Sequence, residues 1–269
     1  MQVLRLYSKF VTIFMKSKLE YRLGFCVEIL ANFLMLLSYY LGIWVMFQNF
    51  DNIAGWNYQE TLLLFNMNWL CYSISGFFLW APMLNMGSYI QSGEFDSFLI
   101  RPMNTLVYLI FRQFQYTFIA RLIMAIIFFT YSLQIISIPW TPVNIIYFIV
   151  SIVSGIAIHA GVLIFIGAIS FWTIQNDAIG NFLINSDSGL RTFADYPLTI
   201  YGSIVKAILI FVIPYVFVNY FPTVFFLGKN GFYHIEYLHL LSPFVAVVVM
   251  TIALILWNIG MKHYNSTGT

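Results

Sequence analysis

Few side chains in this 269-residue sequence are arranged for covalent or metal chemistry. The two cysteines, Cys26 and Cys71, lie in apolar runs, where packing is a commoner role than a disulfide or a metal site. The sequence holds no G-x-S-x-G nucleophile motif, no H-E-x-x-H zinc motif and no G-x-x-x-x-G-K-[ST] phosphate loop. We therefore predict no catalytic residue, no metal site and no cofactor in this chain. If ATP is used, a different subunit binds ATP and Mg²⁺.

His159 is the ionisable side chain nearest the middle of an apolar run. Ionisable groups inside a membrane span are costly and often functional, so an intramembrane polar site for proton transfer or substrate contact is one interpretation. The favoured alternative is a neutral imidazole that hydrogen bonds across a close helix contact. Small residues four positions apart, Ser151 with Gly155 and Ala157 with Gly161, allow such a contact.

The composition identifies the environment of these residues. Hydrophobic residues make up 61% of the chain and charged residues only 8%, whereas a soluble domain carries roughly 25% charged residues. A soluble fold of this length could not bury that much apolar surface, so lipid must cover it. The net charge of +2 gives no electrostatic basis for binding nucleic acid. We predict an all-α polytopic membrane protein.

Six apolar stretches are long enough to cross a bilayer, which takes roughly 20 residues of helix. They form a single transmembrane domain, 23–269, with predicted spans at about 23–47, 61–81, 117–138, 144–172, 203–226 and 240–261. The fifth span carries Pro214 and Pro222 and is followed by Gly228, and prolines break or kink membrane helices. Residues 222–237 are therefore either a re-entrant outer hairpin or the end of a kinked helix with a longer outer loop.

Residues 1–22 carry basic side chains in a helical pattern. At 100° per residue, Arg5, Lys9 and Lys16 form one stripe, and Phe10 and Phe14 lie on the other side. This pattern predicts a cytoplasmic amphipathic helix that lies flat in the membrane interface, with its basic stripe toward anionic lipid head groups. The alternative is a basic flank that only orients the first span.

The distribution of lysine and arginine predicts the orientation of the chain. With the N-terminus inside, ten basic residues fall in inner segments, among them Arg191 and Lys206, and only Lys229 falls in an outer connection. We therefore expect both termini to lie in the cytoplasm.

The connection between the second and third spans interleaves apolar and charged residues. Glu94, Asp96 and Arg101 alternate with Phe95 and its apolar neighbours, and the following proline stops any helix that runs through. Such a segment is too polar to span and too apolar for a free loop. It is either a short cytosolic helix that contacts another protein or a solvated loop that caps the third span.

Two stretches of this chain resemble a known family. Residues 93–103, GEFDSFLIRPM, resemble the G-x-x-D-x-x-L-x-R-P signature of permease subunits of type-2 ABC exporters, in the compact six-span bacterial branch. Residues 193–202, FADYPLTIYG, and 213–229, IPYVFVNYFPTVFFLGK, are similar to the fifth-span region of that branch. The amphipathic N-terminus resembles its elbow helix. The likeness therefore follows essentially the whole chain in order.

The resemblance implies a coupling helix that docks on a separate nucleotide-binding ATPase, present in two copies per complex. The residues that it assigns to this ATPase-coupling contact are Gly93, Glu94, Phe95, Asp96, Phe98, Leu99, Arg101 and Pro102. The two acidic residues would face basic residues of the ATPase, and Phe95, Phe98 and Leu99 would fill its apolar groove. The resemblance also favours the re-entrant hairpin and a second permease, identical or divergent, as a partner.

The expected function is the permease of an ATP-binding-cassette exporter in the bacterial plasma membrane, without ATPase activity of its own. The Phe-rich walls suit an amphipathic drug, peptide or lipid as substrate. The alternative is an ATP-independent secondary transporter or channel, which would normally place paired ionisable residues at the midplane, where only His159 is available. An intramembrane enzyme would need a nucleophile with its base or a set of metal ligands.

Overall fold

The computed structural model describes residues 20–136, 138–173, 177–185, 189–229 and 237–266. In these residues the chain is helical, and the only β pairing is one isolated bridge. Five helices are long and apolar enough to cross a membrane, and a bent helix pair is a sixth candidate. The predicted all-α membrane fold is confirmed. The interfacial helix predicted from Arg5, Lys9, Phe10, Phe14 and Lys16 lies outside the described residues.

The described α-helices are, in chain order, α1 (Arg22–Asn49), α2 (Tyr58–Leu84), α3 (Met86–Gln91), α4 (Glu94–Leu99), α5 (Thr105–Arg112), α6 (Phe118–Ile135), α7 (Pro142–Thr173), α8 (Asp177–Ile184), α9 (Ser203–Ala207), α10 (Tyr220–Phe226) and α11 (Ser242–His263). The long helices α1, α2, α6, α7 and α11 cover five of the six predicted spans. The first four long helices alternate in direction, whereas α11 runs parallel to α7: Tyr147 near the start of α7 donates to the carbonyl of His239 before α11, and Phe171 near the end of α7 lies against Gly260 near the end of α11. We call the side that holds Arg22 and His263 the terminal face, and the side that holds residues 51–57 the distal face.

Helices α6 and α7 pack against α2, α1 packs mainly on α6, and α11 packs on α7 in the most extensive contact between two long helices. A Cβ atom added at Gly161 would lie 2.8 Å from Val249 Cγ1 and 3.3 Å from the backbone nitrogen of Met250. A Cβ atom added at Gly260 would lie 2.4 Å from the ring of Phe171. Glycines therefore let these two helices approach each other closely, as small residues do in membranes.

Replacing Gly161 by valine is expected to destabilise the protein by about 1–3 kcal/mol, because the added methyl groups overlap α11 in a filled contact. The measurement is the unfolding midpoint in detergent. The matched control is Gly42→Val on α1, where an added Cβ has no neighbour within 4 Å. Equal midpoints for the two variants would contradict this account of the α7–α11 contact.

The predicted fifth span at 203–226 is not one straight crossing. The helical pieces Ser203–Val212 and Tyr215–Phe226 are bent by 74° at their junction. Ile213 is extended, and Pro214 cannot donate the hydrogen bond that would continue the helix. Pro222 lies in the first turn of α10, where no such donor is needed, so it does not break the helix.

Both ends of this bent segment lie at the distal face. Its beginning follows Thr199, whose hydroxyl donates to the carbonyl of Ala54, and its end precedes Lys229, whose ammonium donates to the carbonyl of Gly55. The bend at Pro214 lies deep in the protein. We therefore describe 203–226 as a re-entrant segment and call it the distal hairpin. It begins before Pro222, and of the stretch 222–237 in which a hairpin was predicted, residues 230–236 lie outside the described ranges.

Gly228 lies just beyond the end of α10 and caps this helix. Its φ of +59° lies in the left-handed region that glycine adopts without strain. The amide of Gly228 donates to the carbonyl of Phe225, and the amide of Lys229 donates to the carbonyl of Val224. This is the Schellman arrangement, which satisfies the last carbonyls of a helix.

The membrane crossing between α7 and the distal hairpin lies within residues 177–200, of which the structure describes 177–185 and 189–200. The sequence pattern placed these residues in a cytosolic connection. This segment makes contacts from the end of α2 to the turn before its beginning: Gly180 with Leu84, Ile184 with Tyr72, Asp195 with Asn68 and, in that turn, Thr199 with Ala54. The segment therefore runs antiparallel to α2 from the terminal face to the distal face. It does so through the short α8 and a 3₁₀ turn, Leu190–Asp195.

Candidate functional site

The irregular crossing places an arginine and an aspartate in the interior. The Arg191 guanidinium donates to both carboxylate oxygens of Asp195, each at 3.2 Å, and the two side chains are 0% and 5% exposed. Asn68 of α2 donates to the same carboxylate at 2.7 Å, and His159 Nε2 of α7 lies 3.0 Å from the amide oxygen of Asn68. Because that oxygen can only accept, Nε2 carries the imidazole proton. With Trp69, these residues form what we call the midplane cluster.

Aromatic rings enclose the charged pair. The guanidinium carbon of Arg191 lies 4.5 Å from the ring centre of Trp69 and 4.4 Å from that of Tyr72. Rings at this distance attract a cation through their negative faces, most strongly where water is excluded. The pair is neutral overall and its carboxylate accepts three hydrogen bonds, which is the condition under which buried charges are tolerated.

Local backbone geometry brings these side chains together. Arg191 and Asp195 lie four residues apart in the 3₁₀ turn and reach each other by hydrogen bonds. The turn begins after Gly189, whose amide donates to the carbonyl of Asn185. A Cβ atom at Gly189 would lie 2.6 Å from the backbone nitrogen of Asn185, so no larger residue fits. The cluster thus depends on a glycine before it as well as on the partners from α2 and α7.

Asn219 ties the distal hairpin to the same region. Its buried side-chain amide donates to the carbonyl of Leu64 on α2 at 3.1 Å and to the carbonyl of Ala194 in the crossing at 2.6 Å. Tyr215, at the bend of the hairpin, donates to the carbonyl of Leu183, and its ring centre lies 5.1 Å from that of His159. The hairpin, the irregular crossing, α2 and α7 therefore meet at one polar centre.

Sequence reasoning assigned Arg191 to a cytoplasmic connection and did not single out Asp195. A detectable signal was the four-residue spacing of opposite charges, together with Asn68 and His159 near the middle of two spans. His159 itself lies where it was expected, inside the membrane domain and hydrogen-bonded across a helix contact. The sequence reasoning missed its partner and the charged pair behind that partner.

The 93–102 segment lies at the terminal face and contains the short helix α4. Gly93 caps it with a φ of +70°. Phe95 and Phe98 are buried, and Phe95 packs against Phe171 of α7 and Tyr264 beyond α11, with ring centres 5.4 and 4.9 Å away. These rings attach α4 to its own chain, so the expectation that Phe95 and Phe98 fill a groove of the partner is wrong.

The acidic residues of α4 are also engaged within the chain. Glu94 forms an ion pair with Arg112 of α5. Asp96 accepts hydrogen bonds from the hydroxyls of Tyr264 at 2.8 Å and Ser266 at 2.6 Å. Burial and the neighbouring Asp96 carboxylate raise the pKa of Tyr264 to about 12, so this hydroxyl keeps its proton and donates. Glu94 and Asp96 therefore contact residues of their own chain, and the expectation that they face basic residues of a partner is wrong.

The free surface of this segment is its end. Leu99 is 42% and Ile100 82% exposed, and Arg101 and Pro102 are exposed beside them. We call these four residues the docking tip. It combines two large apolar side chains with one cation and a rigid proline, a composition that is suited to a protein contact and costly to leave in water.

The comparison with known proteins identifies the family of this chain. A family model described as ABC-2 family transporter protein matches residues 33–268. No curated protein and no solved structure matches the chain. The matched range includes all of α2, α6, α7 and α11, the larger part of α1, the docking tip and the midplane cluster, and it agrees with the resemblance of residues 93–103. The chain belongs to the ABC-2 family of transporter proteins and is a membrane-embedded permease subunit.

Proposed function

We propose that this chain is the permease of an ATP-driven exporter and that a separate ATPase docks on its docking tip. The observation that carries this proposal is the contrast within the 93–102 segment. Phe95 and Phe98 are buried and hold α4 in place, whereas Leu99 and Ile100 project from it without cover. A rigidly held element with an exposed apolar end is suited to receive force from another subunit.

The chemistry of the docking tip describes the surface of its partner. Leu99 and Ile100 suit an apolar groove, and the guanidinium of Arg101 suits an acidic residue at the edge of that groove. ATP and Mg²⁺ would bind to this partner, which we expect in two copies per complex.

The terminal face is cytoplasmic in this proposal. Two of the ten basic residues predicted on the cytoplasmic side lie elsewhere in the structure: Arg191 is in the interior, and Lys206 is near the distal face. The remaining eight, including the five in residues 1–22, still outnumber Lys206 and Lys229 on the distal side. The excess of lysine and arginine on this side therefore supports cytoplasmic termini. The membrane of this proposal is the bacterial plasma membrane.

A second permease, identical or divergent, would cover the irregular π-helical turn Ile208–Val212, which precedes the break in the distal hairpin. Phe211 and Val212 precede the break and are 83% and 70% exposed. Irregular backbone at membrane depth survives only where protein covers it or where it lines a cavity with water. We therefore place the partner permease on Ser203–Val212, with the export path between the two chains. The apolar walls suit an amphipathic drug, peptide or lipid.

An ATP-independent transporter is the second candidate, and the midplane cluster favours it. Paired ionisable residues near the midplane are typical of ion-coupled transport. Arg191 and Asp195 are a pair of ionisable residues of this kind. Both are enclosed by aromatic rings and hydrogen-bond partners, however, which suits a fixed structural pair better than one that releases a proton.

The test of the proposed function is co-purification of the tagged chain from its native membrane in mild detergent. The expected result is a second subunit of soluble composition that carries a phosphate-loop motif and hydrolyses ATP. The control is a parallel purification of an unrelated six-span protein with the same tag. Transport by the purified chain in vesicles without any ATPase would contradict the proposal and support the second candidate.

A further inference from the structure

The C-terminal residues fold back onto α4. Beyond the end of α11, Tyr264 donates to one carboxylate oxygen of Asp96 and Ser266 donates to the other. Each oxygen of the Asp96 carboxylate thus accepts a hydrogen bond from a hydroxyl of the same chain. A solvated acidic residue in a loop would need neither.

Aromatic packing reinforces the same attachment. Phe95 lies between Phe171 at the end of α7 and Tyr264, and Phe171 packs against Trp257 of α11 with ring centres 5.3 Å apart. Phe171 also lies directly on Gly260, where no side chain separates it from the helix. Close-packed aromatic rings of this kind resist the displacement of α4 relative to α7 and α11, because the packing leaves no empty space into which a ring could move.

The opposite side of α4 is attached differently. Glu94 pairs with Arg112, and that pair joins α4 to α5, which leads into α6. Glu94 and Arg112 are each partly exposed, so water weakens their attraction. Phe98 also packs on this side, against Tyr89 of α3 and Tyr108 of α5. The attachment to α7 and α11 differs in kind, since it combines the packing of Phe95 with two hydrogen bonds to a charged group.

We infer that Asp96, Tyr264 and Ser266 form a latch that makes α7 and α11 move together with α4 when a docked subunit displaces it. This inference rests on the proposed function for the source of the displacement. Asp96 is a positioning residue in this account and makes no contact with the ATPase. The last span then receives the force directly, in addition to the covalent path through α3 to α2 and through α5 to α6.

The first test uses the purified chain alone. The double variant Tyr264→Phe/Ser266→Ala removes both donors and keeps the ring that packs on Phe95. We expect amide hydrogen exchange in α4 to become several-fold faster, because the helix loses its attachment to the C-terminus. The matched control is Tyr131→Phe on α6, an exposed tyrosine far from α4. Unchanged exchange in α4 would overturn the latch whether or not any partner exists.

The second test follows the movement in the complex with the co-purified ATPase. Spin labels at Ser97→Cys on α4 and Ile259→Cys on α11, in a Cys26→Ser background, report the distance between the two helices without nucleotide and with Mg-ATP and vanadate. With the latch intact, we expect one distance in both states. In the Tyr264→Phe/Ser266→Ala background, we expect the distance to change when nucleotide binds.

The outcomes separate the two proposals. A nucleotide-dependent distance with the latch intact, or the same constant distance in the double variant, would overturn the transmission role of the latch. If no ATPase accompanies the parent chain, the proposed function and the transmission role both fail. The exchange measurement still decides in that case whether the C-terminus holds α4.

Discussion

Replacing Arg191 by methionine is expected to destabilise the folded protein by about 3–5 kcal/mol, since it leaves the buried carboxylate of Asp195 without its cation. Arg191 is 0% exposed, so no water can replace the guanidinium. Its loss also removes the cation that Trp69 and Tyr72 enclose. The measurement is the denaturant midpoint in detergent micelles, supported by the amount of protein recovered from the membrane.

Two further variants make this result specific. The double variant Arg191→Met/Asp195→Leu removes both charges together and is expected to recover much of the lost stability, because an apolar pair of similar volume carries no uncompensated charge. Arg101→Met, at an exposed arginine, is expected to leave the midpoint nearly unchanged. A single variant at Arg191 that unfolds at the midpoint of the parent would show that the cluster does not stabilise the fold.

Replacing Ile100 by aspartate is expected to separate the permease from its ATPase. Ile100 is 82% exposed, so the change scarcely alters the fold of this chain but places a charge where an apolar groove should receive a side chain. Loss of a central apolar contact in an interface weakens binding by about 2–4 kcal/mol, or roughly 30- to 1,000-fold. The measurement is the amount of ATPase that co-purifies with the variant and the rate of its ATP hydrolysis.

Val107→Asp provides the matched control, since Val107 is a partly exposed apolar residue of α5 outside the docking tip. We expect this variant to retain the ATPase. Charge reversal at Glu94 and Asp96 would be a less specific test, because it also breaks the contacts with Arg112 and Tyr264. Retention of the full amount of ATPase by Ile100→Asp would show that the docking tip is not the interface.

Hydropathy predicts the regular part of this fold well. The ends of the five long helices lie within three residues of the ends of the predicted spans, because every residue of a straight crossing meets lipid or another apolar helix. The beginning of α2 also follows from local sequence. Asn57 and Glu60 form a capping box, in which each side chain accepts from the backbone of the other.

The irregular crossing could not be found in this way. Residues 203–226 are apolar enough to be counted as a span, whereas 177–200 contain Arg191 and Asp195 and are therefore counted as a loop. The cost of those charges is offset by Asn68, which precedes Asp195 by 127 positions, and by the rings of α2. Local hydropathy cannot detect compensation that comes from so far along the chain.

The resemblance identified the 93–102 segment but not the direction of its side chains. A motif shows which residue types recur and says nothing about whether Phe95 faces a partner or the chain's own α7. Tyr264, near the other end of the chain, decides this direction. It packs on Phe95 and donates a hydrogen bond to Asp96, from which it is separated by 168 positions in the sequence. Only the folded chain brings these residues together.

The irregular crossing has a consequence for biosynthesis. Arginine and aspartate each cost about 2.5–3.5 kcal/mol at the centre of a helix that partitions from the translocon into lipid, so residues 177–200 cannot enter the bilayer alone. Asn68, Trp69 and His159 precede this segment in the chain and are therefore made before it. We expect the ribosome to release a chain whose fifth crossing is still missing. Folding against α2 and α7 then pulls that crossing into place and completes the topology.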